Sequence, residues 1–150
     1  AMGDVKGGLQ FTYISLDDYR IVKDHLFGNK QRTTKNRGQI AYSVFISPTF
    51  SRVGLSEQEA REQGYAVKTV SMPAAAIPRA NVISQSDGLL KAVIDTKTDQ
   101  ILGCVLFCAE SEEVINFVQL AMNQRLTYQE VGNHIFTHPT MSEALNDLFS

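Results

Sequence analysis

The sequence predicts an α+β fold in which an antiparallel sheet carries helices on one face. Two observations support this class most directly. Apolar runs of strand length are concentrated in the middle of the chain, and helical patterns lie mostly outside them. In addition, two of these runs are joined by a short polar loop, which indicates a hairpin. With 150 residues, of which 43% are hydrophobic, the chain is long enough to form a core.

The N-terminal part of the chain predicts one helix followed by a loop. Residues 9–27 are assigned to the helix because Tyr19, Val22 and Leu26 recur at helical spacing and a Gly-Asn pair follows as a stop signal. Residues 28–39 carry several lysines and arginines and almost no apolar side chain. We expect a basic loop there, which is either simply solvated or contacts a phosphate.

The strands of the predicted sheet are marked by apolar runs of strand length. These runs are residues 40–46, 66–72, 89–94 and 101–107. The last two form the predicted hairpin. The pattern leaves open whether the strand at 40–46 pairs with its neighbour in the parallel or the antiparallel sense. Pro73 and Pro78 bracket an Ala-rich stretch, which we interpret as a connection.

Capping boxes mark the starts of three further helices. In a capping box a Ser or Thr oxygen accepts a hydrogen bond from an amide three residues on, and a Glu there reaches back. The boxes are Ser56–Glu59, Thr127–Glu130 and Thr140–Glu143. The first helix should end at Gly64 and the last at Phe149. Another helix should begin at Ser111, with the following apolar face: Val114, Phe117, Val118, Ala121 and Met122.

Composition and charge exclude several classes of partner. The net charge of −2 and the pI of about 5.9 argue against a broad nucleic-acid-binding surface. No apolar run approaches the roughly 18 residues of a membrane span, so we expect no membrane insertion. The N-terminus has no charged stretch followed by an apolar one, so no signal peptide is expected. No Cys/His cluster has zinc spacing, so we expect no metal.

The two cysteines, Cys104 and Cys108, lie in one predicted strand. Four residues along a strand span about 13 Å, since each residue rises roughly 3.3 Å. A disulfide needs Cα atoms about 4.4–6.8 Å apart, so these cysteines should not bond to each other. We expect them to be small buried residues of a protein that works in a reducing cytoplasm.

His138 is the residue that most suggests catalysis. It lies between two predicted short helices, and the following Pro139 stiffens the backbone. Imidazole titrates near neutral pH and can exchange protons during turnover, and Glu143 could accept a hydrogen bond that fixes the ring's tautomer. A purely structural interpretation remains open, because Glu143 is also explained by its capping box and a His-Pro pair can simply end a helix.

Three segments, taken in order, resemble one family, the pyridine nucleotide–disulfide oxidoreductases. They are Ala1-Met-Gly-Asp-Val5, Ser47-Pro-Thr-Phe-Ser-Arg-Val-Gly-Leu-Ser-Glu57 and His138-Pro-Thr-Met-Ser-Glu143. The first resembles the family's second flavin-contacting motif, the second the opening of its dimerisation domain, and the third its C-terminal catalytic signature. Residues 11–20 are similar to the mercuric-reductase-like and hypothiocyanous-acid-reductase-like branch, although the C-terminal cysteine pair of mercuric reductases is missing.

The resemblance implies an FAD-dependent parent enzyme, in which NAD(P)H reduces FAD and FAD reduces a cysteine pair. It implies that residues 1–39 are the end of the FAD-binding region, where Gly3 and Asp4 contact the flavin. Residues 40–150 would be the dimerisation domain. It also implies a homodimer, in which His138 acts as acid–base on the thiols of the partner's active site and Glu143 is its hydrogen-bonding partner.

For the chain by itself, the resemblance implies assembly without catalysis. The family's redox cysteines and both nucleotide-binding domains precede the Gly-Asp motif, and Cys104 and Cys108 do not match the redox pair in position or spacing. We therefore expect this chain to bind FAD poorly or not at all and to have no reductase activity. The alternative is an independent protein-interaction module, which would form dimers and have no catalytic role.

Overall fold

The structure is a computed structural model that describes all 150 residues. The chain divides into two compact units, Ala1–Gly38 and Gln39–Ser150. No helix in it is both long and apolar enough to cross a membrane.

The first unit contains one long helix, α1 (Thr12–Phe27). It begins later than the pattern over 9–27 predicts, because Phe11 is extended and occupies the N-cap position. Its buried face carries Asp17 and Asp18, whereas the apolar side chains that predicted the helix are exposed. The burial of the two carboxylates is tolerated because Arg32 and Arg37 pair with them. The basic loop is therefore partly held against α1, and the expectation of a simply solvated loop is wrong for Arg37, whose side chain is largely buried.

The second unit is built on a five-stranded antiparallel sheet, which confirms the predicted fold class. Its strands are β1 (Tyr42–Val44), β2 (Phe50–Gly54), β3 (Val67–Pro73), β4 (Leu89–Asp95) and β5 (Ile101–Phe107). They lie in the order β1-β2-β5-β4-β3. Strand β1, whose direction the sequence left open, pairs antiparallel with β2, and β4 and β5 form the predicted hairpin.

Five helices accompany the sheet. They are α2 (Glu57–Glu62), α3 (Pro78–Val82), α4 (Ser111–Asn123), α5 (Tyr128–Gly132) and α6 (Ala144–Leu148). Leu90 and Leu106 of the sheet are fully buried in the same core as Val118 of α4 and Leu145 of α6. Each such side chain contributes about 1.5–3 kcal/mol through burial. Lys91 follows Leu90 in β4 but lies outside this core, and its ammonium group pairs with Glu57 of α2.

Strand β2 was not predicted, because a polar residue occupies one of its buried positions. Ser51 is completely buried, and its hydroxyl lies 2.9 Å from the hydroxyl of Ser111 and 2.8 Å from that of Ser43. A buried hydroxyl is tolerated when it is hydrogen-bonded, but it interrupts the apolar alternation that reveals a strand. Helix α3, which begins at Pro78 directly after the predicted connection, is only five residues long and has no counterpart among the sequence predictions.

The capping boxes at Ser56 and Thr127 form as predicted. At the third box, Thr140 and Glu143 also exchange hydrogen bonds, at 3.3 and 3.4 Å. However, the helix begins only at Ala144, so the expectation that it starts directly after Thr140 is wrong. The other carboxylate oxygen of Glu143 lies 2.7 Å from Nδ1 of His138.

Both cysteines are free and buried, as predicted, although β5 ends at Phe107 and Cys108 lies just beyond it. Burial raises the pKa of Cys104 and that of Cys108 to about 12. Both thiols are therefore protonated at neutral pH, and a protonated thiol is a poor nucleophile.

Candidate acid–base loop and cofactor-contact segment

The loop between α5 and α6 carries His138 and is tied to the helices at several points. The side-chain amide of Asn146 in α6 donates hydrogen bonds to the carbonyl oxygens of Gly132 and His134, both at 2.7 Å. Within the loop, the hydroxyl of Thr140 donates to the carbonyl of Thr137 at 2.7 Å. The peptide bond between His138 and Pro139 is cis. The three hydrogen bonds hold the backbone of the loop that carries the imidazole.

His138 and Glu143 are brought together by this loop. The Nδ1 atom of His138 lies 2.7 Å from Oε2 of Glu143, and the second carboxylate oxygen of Glu143 accepts from the amide of Thr140. The side chain of His138 is 69% exposed, whereas that of Glu143 is 16% exposed. A carboxylate on Nδ1 orients the ring and leaves Nε2 as the nitrogen that can exchange a proton with a group outside this unit.

An apolar patch combines Phe117 and Leu120, which lie three residues apart on α4, with Ile135 and the half-buried Phe136 of the histidine loop. The ring of Phe117 meets that of Phe136 edge-on at 6.1 Å. Leu120 is 60% exposed and Ile135 is 92% exposed. The sequence pattern placed Phe117 on the apolar face of its helix, but Ile115 is buried instead, and Phe117 is half exposed. A group of exposed large apolar side chains is typical of a protein–protein contact.

In the first unit, Gly3 and Asp4 form a tight turn at the start of the chain. Gly3 has a φ of 71°, a left-handed conformation that favours glycine, and its amide donates to Asp18 at 2.8 Å. The carboxylate of Asp4 is exposed, and its contact within the unit is a long one of 3.5 Å from the hydroxyl of Ser15. An exposed carboxylate on an ordered turn can accept hydrogen bonds from the hydroxyl groups of a ligand, so the residues fit a contact with a polyhydroxylated cofactor chain.

The carboxylates of Asp17 and Asp18 are the part of this segment that sequence reasoning missed. Their partners, Arg32 and Arg37, come from a loop well beyond the helix, so spacing within α1 could not indicate them. The one available signal was the adjacent acidic pair directly after Ile14 and Leu16 and before Tyr19 in the helical stretch.

Comparison with known proteins identifies the second unit. The family model for the pyridine nucleotide-disulphide oxidoreductase dimerisation domain matches residues 40–149. The chain belongs to this family. The same fold, with a TM-score of 0.97 and 55% sequence identity, occurs in the HOCl-induced flavoprotein disulfide reductase RclA from Escherichia coli, over 99% of this chain and 34% of that one.

Relatives within the oxidoreductase family extend over the whole chain. It is 55% identical over 150 residues to the probable pyridine nucleotide-disulfide oxidoreductase RclA of Escherichia coli. It is 35% identical over 147 residues to dihydrolipoyl dehydrogenase of Bacillus subtilis and 33% identical over 145 residues to mercuric reductase of Lysinibacillus sphaericus. These matches cover 97–100% of the chain but only 34%, 31% and 26% of the three relatives. The resemblance drawn from the motifs is thus confirmed, and the chain spans about a third or less of each relative.

Proposed function

We propose that this chain is the dimerising part of an FAD-dependent oxidoreductase and that it supplies His138 as acid–base to the active site of the partner subunit. The observation that carries the proposal is the geometry of His138, whose Nδ1 is held 2.7 Å from Glu143 while the side chain is 69% exposed. An oriented imidazole on the surface of its own unit is suited to a reaction whose other components come from elsewhere. The adjacent apolar patch supports a contact that would bring them to it.

In the proposed reaction, the histidine moves protons and the carboxylate orients it. Nε2 of His138 would accept the proton of a thiol as that thiol becomes a nucleophile, and would return it when the thiol leaves. Glu143 would keep Nδ1 protonated, so that Nε2 faces the thiol as an acceptor. When bound, FAD would supply the electron transfer from NAD(P)H to the cysteine pair.

Within this proposal, residues 1–39 are the end of the FAD-binding region and residues 40–150 are the dimerisation domain. Gly3 and Asp4 would contact the flavin's ribityl chain, with the exposed carboxylate of Asp4 accepting its hydroxyl hydrogens. The assembly would be a homodimer, since closed two-fold symmetry is the commonest arrangement of identical chains. A cytoplasmic location is proposed because the chain's cysteines are free.

Whether His138 acts in the partner subunit's active site is tested by mixing two inactive variants of the full-length enzyme. One carries His138→Ala, and the other carries serine at both redox cysteines. If the histidine acts on the partner's thiols, each mixed dimer has one intact site, and random mixing restores about a quarter of the wild-type activity. If it acts within its own subunit, the mixed dimers have none. Mixtures that stay inactive although mixed dimers form would contradict the proposal.

Purified by itself, the 150-residue chain is expected to be colourless and to have no reductase activity. The chain offers the flavin only the Gly3–Asp4 turn, and its buried thiols have a pKa of about 12 and are unsuited to redox exchange. The measurement is a visible spectrum after incubation with excess FAD and gel filtration, with the full-length protein as the positive control. A retained flavin absorbance band would contradict this expectation.

A further inference from the structure

Two adjacent carboxylates on α1, those of Asp17 and Asp18, are buried within the unit Ala1–Gly38, at 6% and 4% exposure. Burying a carboxylate is unfavourable unless it is paired and hydrogen-bonded, and a helix ordinarily turns its acidic residues to solvent. Here both carboxylates lie on the buried side of the helix together with Ile14, while Tyr19 and Leu26 are exposed. The buried acidic pair therefore calls for an explanation that goes beyond helix formation.

The two carboxylates bind different parts of the unit. Asp17 pairs with Arg32, and its second oxygen lies 2.6 Å from Nε of Arg37. Asp17 thus ties α1 to the loop that follows it. Asp18 shares Arg37 but also reaches the start of the chain, where it accepts from the amide of Gly3 at 2.8 Å and lies 3.2 Å from Nζ of Lys6.

The contacts of Asp18 lie on both sides of Asp4. The turn from Gly3 to Gly7 is closed by backbone bonds from Lys6 to Gly3 and from Gly7 to Asp4, both at 3.0 Å. Asp18 holds this turn at Gly3 and again at Lys6, and Asp4 lies between these two points with its carboxylate exposed. The carboxylate of Asp18 therefore holds the turn that presents Asp4.

We propose that Asp18 is the positioning residue of the flavin-contact turn: anchored by Arg37, it fixes Gly3 and Lys6 so that Asp4 presents its carboxylate to the cofactor. This inference rests on the proposed function, in which Asp4 contacts the flavin. The hydrogen bond from Gly3 and that from Arg37 lower the pKa of Asp18 from 3.8 to about 2, so the group stays charged at neutral pH. The charged groups facing it are Arg37 and Lys6, with Asp17 as its neighbour.

The test uses the full-length holoenzyme with four single variants and one double variant, and the readouts are the FAD dissociation constant and the flavin absorption spectrum. Asp18→Ala should weaken FAD binding about tenfold, as expected for the loss of a charge-assisted hydrogen bond. Asp18→Asn keeps an acceptor for the Gly3 amide and should recover part of that loss. Asp4→Ala should weaken binding and change the flavin bands. Asp24→Ala is the matched control, since Asp24 caps the other end of the same helix through Asn29 and Arg32.

The double variant of Asp4 and Asp18 separates the possible outcomes. If Asp18 acts through Asp4, the double variant binds FAD as weakly as Asp4→Ala alone. Fully additive losses, or an Asp18→Ala effect no larger than that of Asp24→Ala, would overturn the inference. An Asp4→Ala enzyme with unchanged FAD affinity and spectrum would instead contradict the proposed flavin contact itself.

A second measurement needs no cofactor and works on the 150-residue chain. Because the pKa of Asp18 is lower in the folded state, its contribution to holding the turn is complete above about pH 4 and is lost as the pH falls towards 2. The amide proton shift of Gly3, followed by NMR, should change over this range in the wild type and lack this step in Asp18→Asn. A Gly3 shift that titrates identically in both proteins would overturn the proposed anchoring.

Discussion

Replacing His138 with alanine is expected to lower the kcat of the full-length enzyme by about a hundred- to ten-thousandfold, the range typical for loss of a positioned acid–base group. Thermal stability should stay close to that of the wild type, since the side chain is 69% exposed. Glu143→Gln should cause a smaller loss, because it keeps a hydrogen-bonding group beside Nδ1 but removes its charge. Steady-state kinetics together with a thermal melt check both expectations.

The matched control for His138 is His25→Ala, which removes another exposed histidine and lies in the first unit. It should leave kcat unchanged. If His138→Ala kept the kcat of the wild type, the acid–base role would be wrong, and the hydrogen bond to Glu143 would be explained as a structural cap of the loop before α6.

Replacing Leu120 with arginine should convert a dimer of this chain into monomers. Leu120 is the α4 residue of the apolar patch with the larger exposed fraction, and a guanidinium buried there without a partner should weaken association by more than about a hundredfold. Light scattering coupled to gel filtration measures the mass at concentrations on the order of tens of micromolar. The wild-type chain should have the mass of a dimer.

Val82→Arg is the control for this experiment. Val82 is 66% exposed, close to the 60% of Leu120, but it lies on α3, outside the patch. It should leave the dimer intact. A wild-type monomer would overturn the proposed homodimer, and a Leu120→Arg chain that stays dimeric would move the interface away from α4. A dimer in which His138 is far from the interface would favour the alternative, an interaction module without a catalytic role.

Several features of the fold could be predicted because they depend on residues close together in the sequence. The capping boxes at Ser56 and Thr127 involve partners three residues apart, and β4 and β5 are adjacent strands joined by one short loop. The pairing of His138 with Glu143 is of the same kind, since five residues and one turn bring the two side chains together. Local geometry is sufficient for such contacts.

Other features depend on partners that are distant in the sequence, and only the tertiary structure decides them. Ser51 can be buried in β2 because Ser111, sixty residues on, meets its hydroxyl. Asp18 can be buried because it is paired with Gly3, which precedes α1 in the sequence, and with Arg37, which follows it. Sequence by itself determined the fold class, the family and the acid–base candidate. The tertiary structure decided which polar groups the chain buries, because a buried charge or hydroxyl is stable only where the fold brings its partner.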